Sequence, residues 1–483
     1  MAPAIMRAVR IAGAVLVVSA LAAAVLVDAR AEAPLTITRH YTPADRVSGR
    51  YQYVPFEVPA GTATLRVSSQ YDRVDGDNVV DLGVFEPGPL DLGTHAFRGY
   101  SGGAKTGFEI GARETSSGYR PGPLPPGQWH VMLGLYKVAE RGVDVTLTIE
   151  TEAGPPGPAA RPLHVPVAIP PSTAPAGWLM GALHTHTLHS DGTVSPAEIM
   201  RITRDAGFDF VAITDHNNTT HTYELARDAA LPARPLWIAG EEVTTPGGHA
   251  SVWGLDHGEW VDFRVGPGDR RIADLVGAAR RLGGLFSVNH PASTCVACGW
   301  EHAFVDGIEA MEISNGRHGE VTGALAMWDK LLRSGRRITG VGSSDWHSAP
   351  NPIDVANVRV YSPALTQDAI LGAIRAGRVI VVNGAQEATP QVVVRAGNRT
   401  AGIGDSLAIS ESTVATIDVH APGLVYGRLL IVGNGGTPVD VPLDDRGRAR
   451  VERPVQFGYV RFEFRRQDQW PVAYTNPVYI VRQ

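Results

Sequence analysis

Cysteine is nearly missing from this 483-residue chain, and its two copies, Cys295 and Cys298, sit together in "CVAC". Two cysteines cannot build a disulfide scaffold, and one C-x-x-C is half of a zinc ribbon without its second half. The pair reads either as a small disulfide loop or as two structural thiols. Charge is sparse too. Asp, Glu, Lys and Arg make up 19% of residues, and a formal net charge of −6 argues against a nucleic acid as a stable partner. Long apolar runs are confined to Ile11–Val27, preceded by Arg7 and Arg10 and followed by "ARA" at Ala29–Ala31. That is a signal-peptide pattern over 1–31. The run is shorter than the roughly 20 residues of a spanning helix, and an uncleaved anchor is the alternative reading. Cleavage removes three arginines and one aspartate, leaving a mature charge of about −8. The expectation is an exported protein, periplasmic or secreted, with no stable membrane span after cleavage. The G-x-S-x-G match "GYSGG" at 99–103 lies in a β-rich region without the strand-to-helix turn of a nucleophile elbow, which argues against serine-hydrolase chemistry. "GYSGGAKT" at 99–106 imitates a P-loop, but Ala104 stands where its second glycine belongs.

Glycine and proline are plentiful, at 54 and 35 copies, and favour short strands with many turns. Three regions follow the signal. Residues 35–151 alternate apolar and polar residues in runs such as "ATLRVSS", "VVDLGVF" and "WHVMLGLY", the pattern of an all-β sandwich. Residues 152–177 are a Pro/Ala-rich linker. Residues 178–383 change rhythm: strand-like runs ("FDFVAITD", "PLWIAGEE", "GLFSVNH", "GIEAMEIS") are separated by helix-like ones. The first helix opens with Ser195 as N-cap, Pro196 in its first turn and Glu198 three residues after the cap. This alternation predicts a parallel α/β barrel or doubly wound sheet. Residues 386–483 return to β as a second sandwich.

Histidines and carboxylates gather at the ends of the middle region's strands. His184, His186 and Asp191 follow the first. Asp215 and His216 end the second, and Glu241 and Glu242 the third, with His249 shortly after. His290 ends the next, and Asp345 and His347 close the last. In a parallel barrel all these ends lie on one face. In H-x-H on a strand, period two puts both imidazoles on one side, about 7 Å apart at Cα. Imidazole plus carboxylate suits zinc, manganese or iron, and mixed clusters often hold more than one ion. Glu241 and Glu242 are adjacent and face opposite ways, so one of them is a ligand. Asp215 reads as a structural acid and His189 as a turn or rim residue.

"HTHTLHSDG", "AITDHN", "GEEVTT", "NHP" and "SSDWH" resemble, in order, the motifs of the PHP (polymerase and histidinol phosphatase) metallohydrolases. "DLGVFEPG", "FRGYSGGA", "GYRPGPLPPGQWHV" and "TNPVYI" further resemble the exported carbaryl-hydrolase-type branch. The resemblance implies a multidomain chain whose central distorted (β/α)7 barrel is flanked by N-terminal and C-terminal all-β sandwich-like domains. It implies two to three divalent transition metals (Mn, Zn or Fe). His184, His186 and Asp345 would bind the first metal, and Asp191, His216 and His347 the second. Glu242 would bridge, with His249 and His290 completing a third site.

A metal-activated hydroxide is the expected nucleophile. His221, Asn289, Arg317 and His318 are candidates for substrate contact or leaving-group protonation. Phosphoester cleavage of a small-molecule substrate is the leading expectation. Carbamate, ester or amide hydrolysis is its alternative, and a non-catalytic protein binding an envelope polymer is a third.

Overall fold

A computed structural model describes residues 33–483 apart from 74–75, 112–113, 156–176, 226–233, 257, 317, 385–388, 412 and 435. The expected signal segment and most of the expected linker lie outside the described residues.

Eight strands come first: β1 (Leu35–Tyr41), β2 (Tyr51–Val58), β3 (Thr62–Gln70), β4 (Val79–Phe85), β5 (Phe97–Gly102), β6 (Gly107–Gly111), β7 (Gly127–Lys137) and β8 (Val143–Ala153). They form two sheets, ordered β1-β8-β3-β6 and β2-β7-β4-β5. Period two explains the packing: Val80, Leu82 and Val84 of β4 and Trp129, Val131 and Leu133 of β7 point between the sheets, against Leu65 and Leu147. The outer face of the second sheet is not left to water. Its Phe85, Phe97, Tyr100 and Met132 join a core with Val261, Phe263 and Val288 of the middle region.

That region contains β9 (Gly177–Ala182), β10 (Phe210–Ile213), β11 (Leu236–Thr245), β12 (Gly248–Trp253), β13 (Leu285–Val288), β14 (Ile308–Ser314), β15 (Thr339–Gly342), β16 (Asn357–Ser362) and β17 (Val379–Val382). Its helices bury one apolar stripe each, as with Ile272, Leu275, Val276 and Ala279 at i, i+3, i+4 and i+7. Ser195 caps the first, accepting from Glu198 N at 3.2 Å. Strands β9, β10 and β11 are parallel, as are β13, β14 and β15. Between these sets β12 runs opposite to both neighbours, because Pro246-Gly247 turns β11 straight back in a two-residue hairpin. The expected uniformly parallel sheet is therefore corrected to a mixed one. With β12 reversed, β11 and β13 still point the same way, so six strands deliver their C-terminal ends to one side.

The last third adds β18 (Gln391–Ala396), β19 (Arg399–Ala401), β20 (Ser406–Ile409), β21 (Thr413–His420), β22 (Arg428–Gly433), β23 (Val439–Pro442), β24 (Arg448–Val455), β25 (Gly458–Arg465), β26 (Pro471–Thr475) and β27 (Val478–Arg482). The sheet β15-β14-β13-β12-β11-β10-β9-β16-β17 continues through β26-β25-β22-β23, so residues 386–483 share a sheet with the middle region. For the same reason the expected (β/α)7 barrel is not closed among the described residues. A ring requires β17 to pair with β15, but β17 pairs with β26, Val381 opposite Tyr474. Instead β15 packs on β17 through side chains, the bare α-carbon of Gly342 facing Val381. Asn476 covers the open edge of β15: its amide accepts from Gly340 N at 2.8 Å and donates to Gly340 O at 2.7 Å. Among the described residues no helix is long and apolar enough to cross a membrane.

Candidate metal centre

Past the end of β9 the chain stays extended, and Thr185 makes a parallel bridge to Trp346. That bridge sets His184-Thr185-His186 beside Asp345-Trp346-His347. Each triplet turns its first and third side chains to the same side. Thr187 N (2.8 Å), Thr187 Oγ1 (2.8 Å) and Ser190 Oγ (2.7 Å) all donate to Asp215, which pins the loop carrying Asp191. A second bridge joins His216 to Glu242. Asn217, His290 and Asp345 hold positive φ values of 55°, 24° and 50°. Such backbone costs about 1–3 kcal/mol per residue and concentrates at functional sites.

The result is a buried cluster. His184 Nε2 lies 3.1 Å from Glu242 Oε1 and 3.2 Å from Asp345 Oδ1, and His186 Nε2 lies 3.1 Å from the same Asp345 oxygen. Around Glu242 stand His216 Nδ1 (2.9 Å), His290 Nε2 (3.2 Å) and His249 Nδ1 (3.4 Å). Asp191 reaches His347 Nε2 at 3.3 Å and His216 Nε2 at 3.6 Å. Candidate ligand atoms therefore fall into four overlapping groups: His186/Asp191/His216/His347, His184/His186/Glu242, His184/His290/Asp345 and His216/Glu242/His249. Two ligands each about 2.1 Å from one cation sit about 3–3.5 Å apart, which is the spacing found. Glu242 Oε2, both ring nitrogens of His249 and Nδ1 of His290 are buried without an aligned hydrogen-bond partner. Such atoms are costly unless a ligand meets them, so these residues fit divalent cations.

Electrostatics say the same. Burial opposes ionisation of Glu242 and Asp345, yet the surrounding imidazoles hold both well below the usual carboxylate range. Burial likewise opposes protonation of His184 and His216, and neighbouring carboxylates overcome it and raise both. His186 differs: burial, with His347 and His216 close by, pushes it down to about 4, leaving a neutral ring with a free lone pair.

Glu241 points away from this cluster, accepting from Val261 N at 2.7 Å. His189 is held between Thr220 (2.8 Å) and Glu224 (3.0 Å), in none of the four groups. His221 needs correction as a substrate contact: it is fully buried 3.0 Å from Asp215, edge-on to Trp237, and does not line the cavity. Asn289 is also buried. It donates to Glu242 Oε1 at 2.8 Å and to Ser251 Oγ at 2.9 Å, so it positions the Glu242 carboxylate. Arg317 lies outside the described residues, as does the side chain of His318, the first residue of the helix His318–Arg333. One participant escaped sequence reasoning. Glu312 takes His184 Nδ1 at 2.9 Å and His290 N at 2.8 Å, orienting the His184 ring so that Nε2 faces the cluster. Its signal was the second carboxylate of the strand "IEAMEIS", two residues before the strand's end.

Cys295 and Cys298 are joined in a disulfide loop, and the Tyr136 hydroxyl donates to Val296 O within it. Both cysteines line the cavity above the cluster, whose volume is about 510 Å³. Its other walls include Asp191, His216, Glu242, Thr244 and Pro246.

Scanned against family models the chain matches none, and searched against curated proteins it matches none. Similar solved structures include a two-domain protein from Bacteroides vulgatus containing a predicted PHP-like metal-dependent phosphoesterase. It is 18% identical over 63% of this chain and 96% of that one, with a TM-score of 0.40. Another is an amidohydrolase from Chromobacterium violaceum, 18% identical over 36% of this chain and 89% of that one, with a TM-score of 0.26.

Proposed function

We propose that this chain is an exported metal-dependent hydrolase of the PHP type, of the carbaryl-hydrolase-like branch, which cleaves phosphoester bonds of small molecules. The observation that carries the reading is the convergence of nine imidazole and carboxylate side chains, seven of which line one cavity of about 510 Å³. In this reading His184, His186 and Asp345 hold one divalent ion, and Asp191, His216 and His347 a second. Glu242 would be shared between them, and His249 and His290 would complete a third site with it. Mn, Zn and Fe all suit such N/O ligands. Bound cations lower the pKa of water and polarise a phosphoryl or carbonyl oxygen. The chain itself supplies neutral His186, the Glu312 and Asn289 hydrogen bonds that fix the ligands, and walls that limit the substrate to a small molecule. Export rests on the N-terminal segment and agrees with the disulfide, a bond favoured in oxidising compartments.

A second reading, hydrolysis of a carbamate, ester or amide, is favoured by the far wall. There Asp81 and three tyrosines face the cluster, with Arg50 as the one arginine among the described lining residues. Such a wall suits a neutral substrate better than a dianion. Protein loaded with Mn or Zn and offered phosphomonoester, phosphodiester and aryl carbamate chromogens separates the readings. Turnover of the carbamate alone would sink the first. No turnover of any, with full metal content, would sink both.

A further inference from the structure

The cavity has two origins. Its floor is the ligand cluster, but Tyr51, Asp81, Tyr100 and Tyr136 come from β2, β4, β5 and β7, with Arg50 directly before β2. These are all four strands of the second N-terminal sheet. Even-numbered Val80, Leu82 and Val84 fill the sandwich core, so Asp81 must point out of the other face. On that face Asp81 and Tyr51 both pair with Gly134. A Cβ at Gly134 would stand 2.8 Å from Asp81 Oδ2, so the missing side chain is what gives the carboxylate its place.

The sheet is also locked down. Phe97 stacks on Trp260 at 4.1 Å, and Tyr51 and Tyr100 pack on Phe263 at 5.6 and 5.0 Å. Arg264, held by Asp262 at 2.6 Å, donates to Leu90 O and Asp91 O. A face fixed in this way is a wall of the cavity.

Burial pushes the Asp81 carboxyl up to about 6, while the nearby Tyr100 hydroxyl, Arg50 and His216 favour its ionised form. Asn217, next to the candidate ligand His216, stands near the Tyr100 hydroxyl in turn. An ionised carboxylate only accepts, and its two oxygens offer several lone pairs to a donor. A substrate that fills the cavity displaces water from them, and one without a donor leaves a desolvated acceptor unpaired. Resting on the hydrolase reading above, we propose that the outer face of this sheet is the leaving-group recognition wall. Asp81, positioned by Tyr100, accepts a hydrogen bond from a hydroxyl or amide N–H on a leaving group whose apolar body lies against Tyr51 and Tyr136. Arg50 offsets the charge of Asp81, so the wall selects a neutral donor over a cation.

The test uses the full metal-loaded chain and two ligands that differ in one hydroxyl, 4-(hydroxymethyl)phenylphosphonate and 4-methylphenylphosphonate, titrated calorimetrically. The wild type is expected to prefer the hydroxymethyl ligand by about ten-fold or more, the scale of discrimination set by an unpaired buried polar group. Asp81→Ala should bring the ratio close to one, and Asp81→Asn and Tyr100→Phe should reduce it, all with metal content unchanged. Equal binding of both ligands by the wild type, binding of neither, or a ratio untouched in the Asp81 variants overturns the proposal. The corresponding phosphate esters and carbamates are assayed in parallel. Their failure to turn over counts against the hydrolase reading and leaves the binding ratio to judge the wall.

Discussion

His184 is held from both ends: Glu312 fixes its Nδ1 while its Nε2 faces Glu242 and Asp345. The two partners predict different phenotypes. On the proposed hydrolase reading His184→Ala removes a candidate ligand, so metal content measured by elemental analysis should fall and turnover should drop by several powers of ten. Glu312→Gln leaves every ligand atom in place and frees only the ring. Metal affinity should weaken about 10–100-fold with an unchanged circular dichroism spectrum, and raising metal concentration should restore activity. An unaltered affinity in that variant contradicts the orienting role.

Glu241 gives a pH signature. Burial raises its carboxyl well above the usual range, with Asp262 adding to the effect against the Val261 N–H bond. Folded protein therefore holds this proton to higher pH than unfolded chain. The stability it contributes is full below the ordinary glutamate pKa of about 4.3 and is lost as pH rises toward the folded value. Glu241→Gln removes this dependence, so its melting temperature should fall less than that of the wild type between acid and neutral pH. Parallel pH profiles for the two proteins would show Glu241 to be unimportant.

At the scale of elements, what keeps the middle sheet from being a barrel is one hydrogen-bonded edge. With β17 committed to β26, the open edge of β15 relies on the fully buried Asn476. Asn476→Ala leaves Gly340 N and O unpaired, at about 1–3 kcal/mol for each group. A clear loss of melting temperature is expected from calorimetry, with metal binding retained at saturating metal. A melting temperature within error of the wild type counts against the edge-covering role. None of this was legible locally. Strand-like runs and helix caps were readable because side-chain period and Ser195 capping are short-range properties. The hairpin reversal at Pro246-Gly247 and the pairing of residues 380–382 with 473–475 are choices of partner. An alternating pattern says which face is buried, and nothing in it says which strand lies alongside.

At the scale of the whole molecule, the N-terminal sandwich is joined to the cavity region through an aromatic core and through Arg264, whose guanidinium, like the Asp262 carboxylate, is 4% exposed. Removing one partner of such a buried pair costs about 3–5 kcal/mol. Arg264→Ala should therefore lower stability and open 89–93 to protease. It should also weaken ligand binding through loss of the far wall, while the nine candidate ligands keep their metal. Limited proteolysis beside metal analysis checks all of this in one preparation, and metal loss without new cleavage would contradict it.

The sequence alone determined which side chains are the candidate metal ligands: H-x-H, D-x-H and carboxylates at strand ends put such groups on one side of extended backbone whatever lies around them. Only the tertiary structure decided the rest. It set Glu312 behind His184, moved His221 out of the cavity, opened the barrel at β17 and brought Asp81 and Tyr100 over the cluster. Those outcomes depend on contacts between segments up to a few hundred residues apart, which are fixed by burial and edge pairing across the folded molecule and leave no periodic trace in the chain.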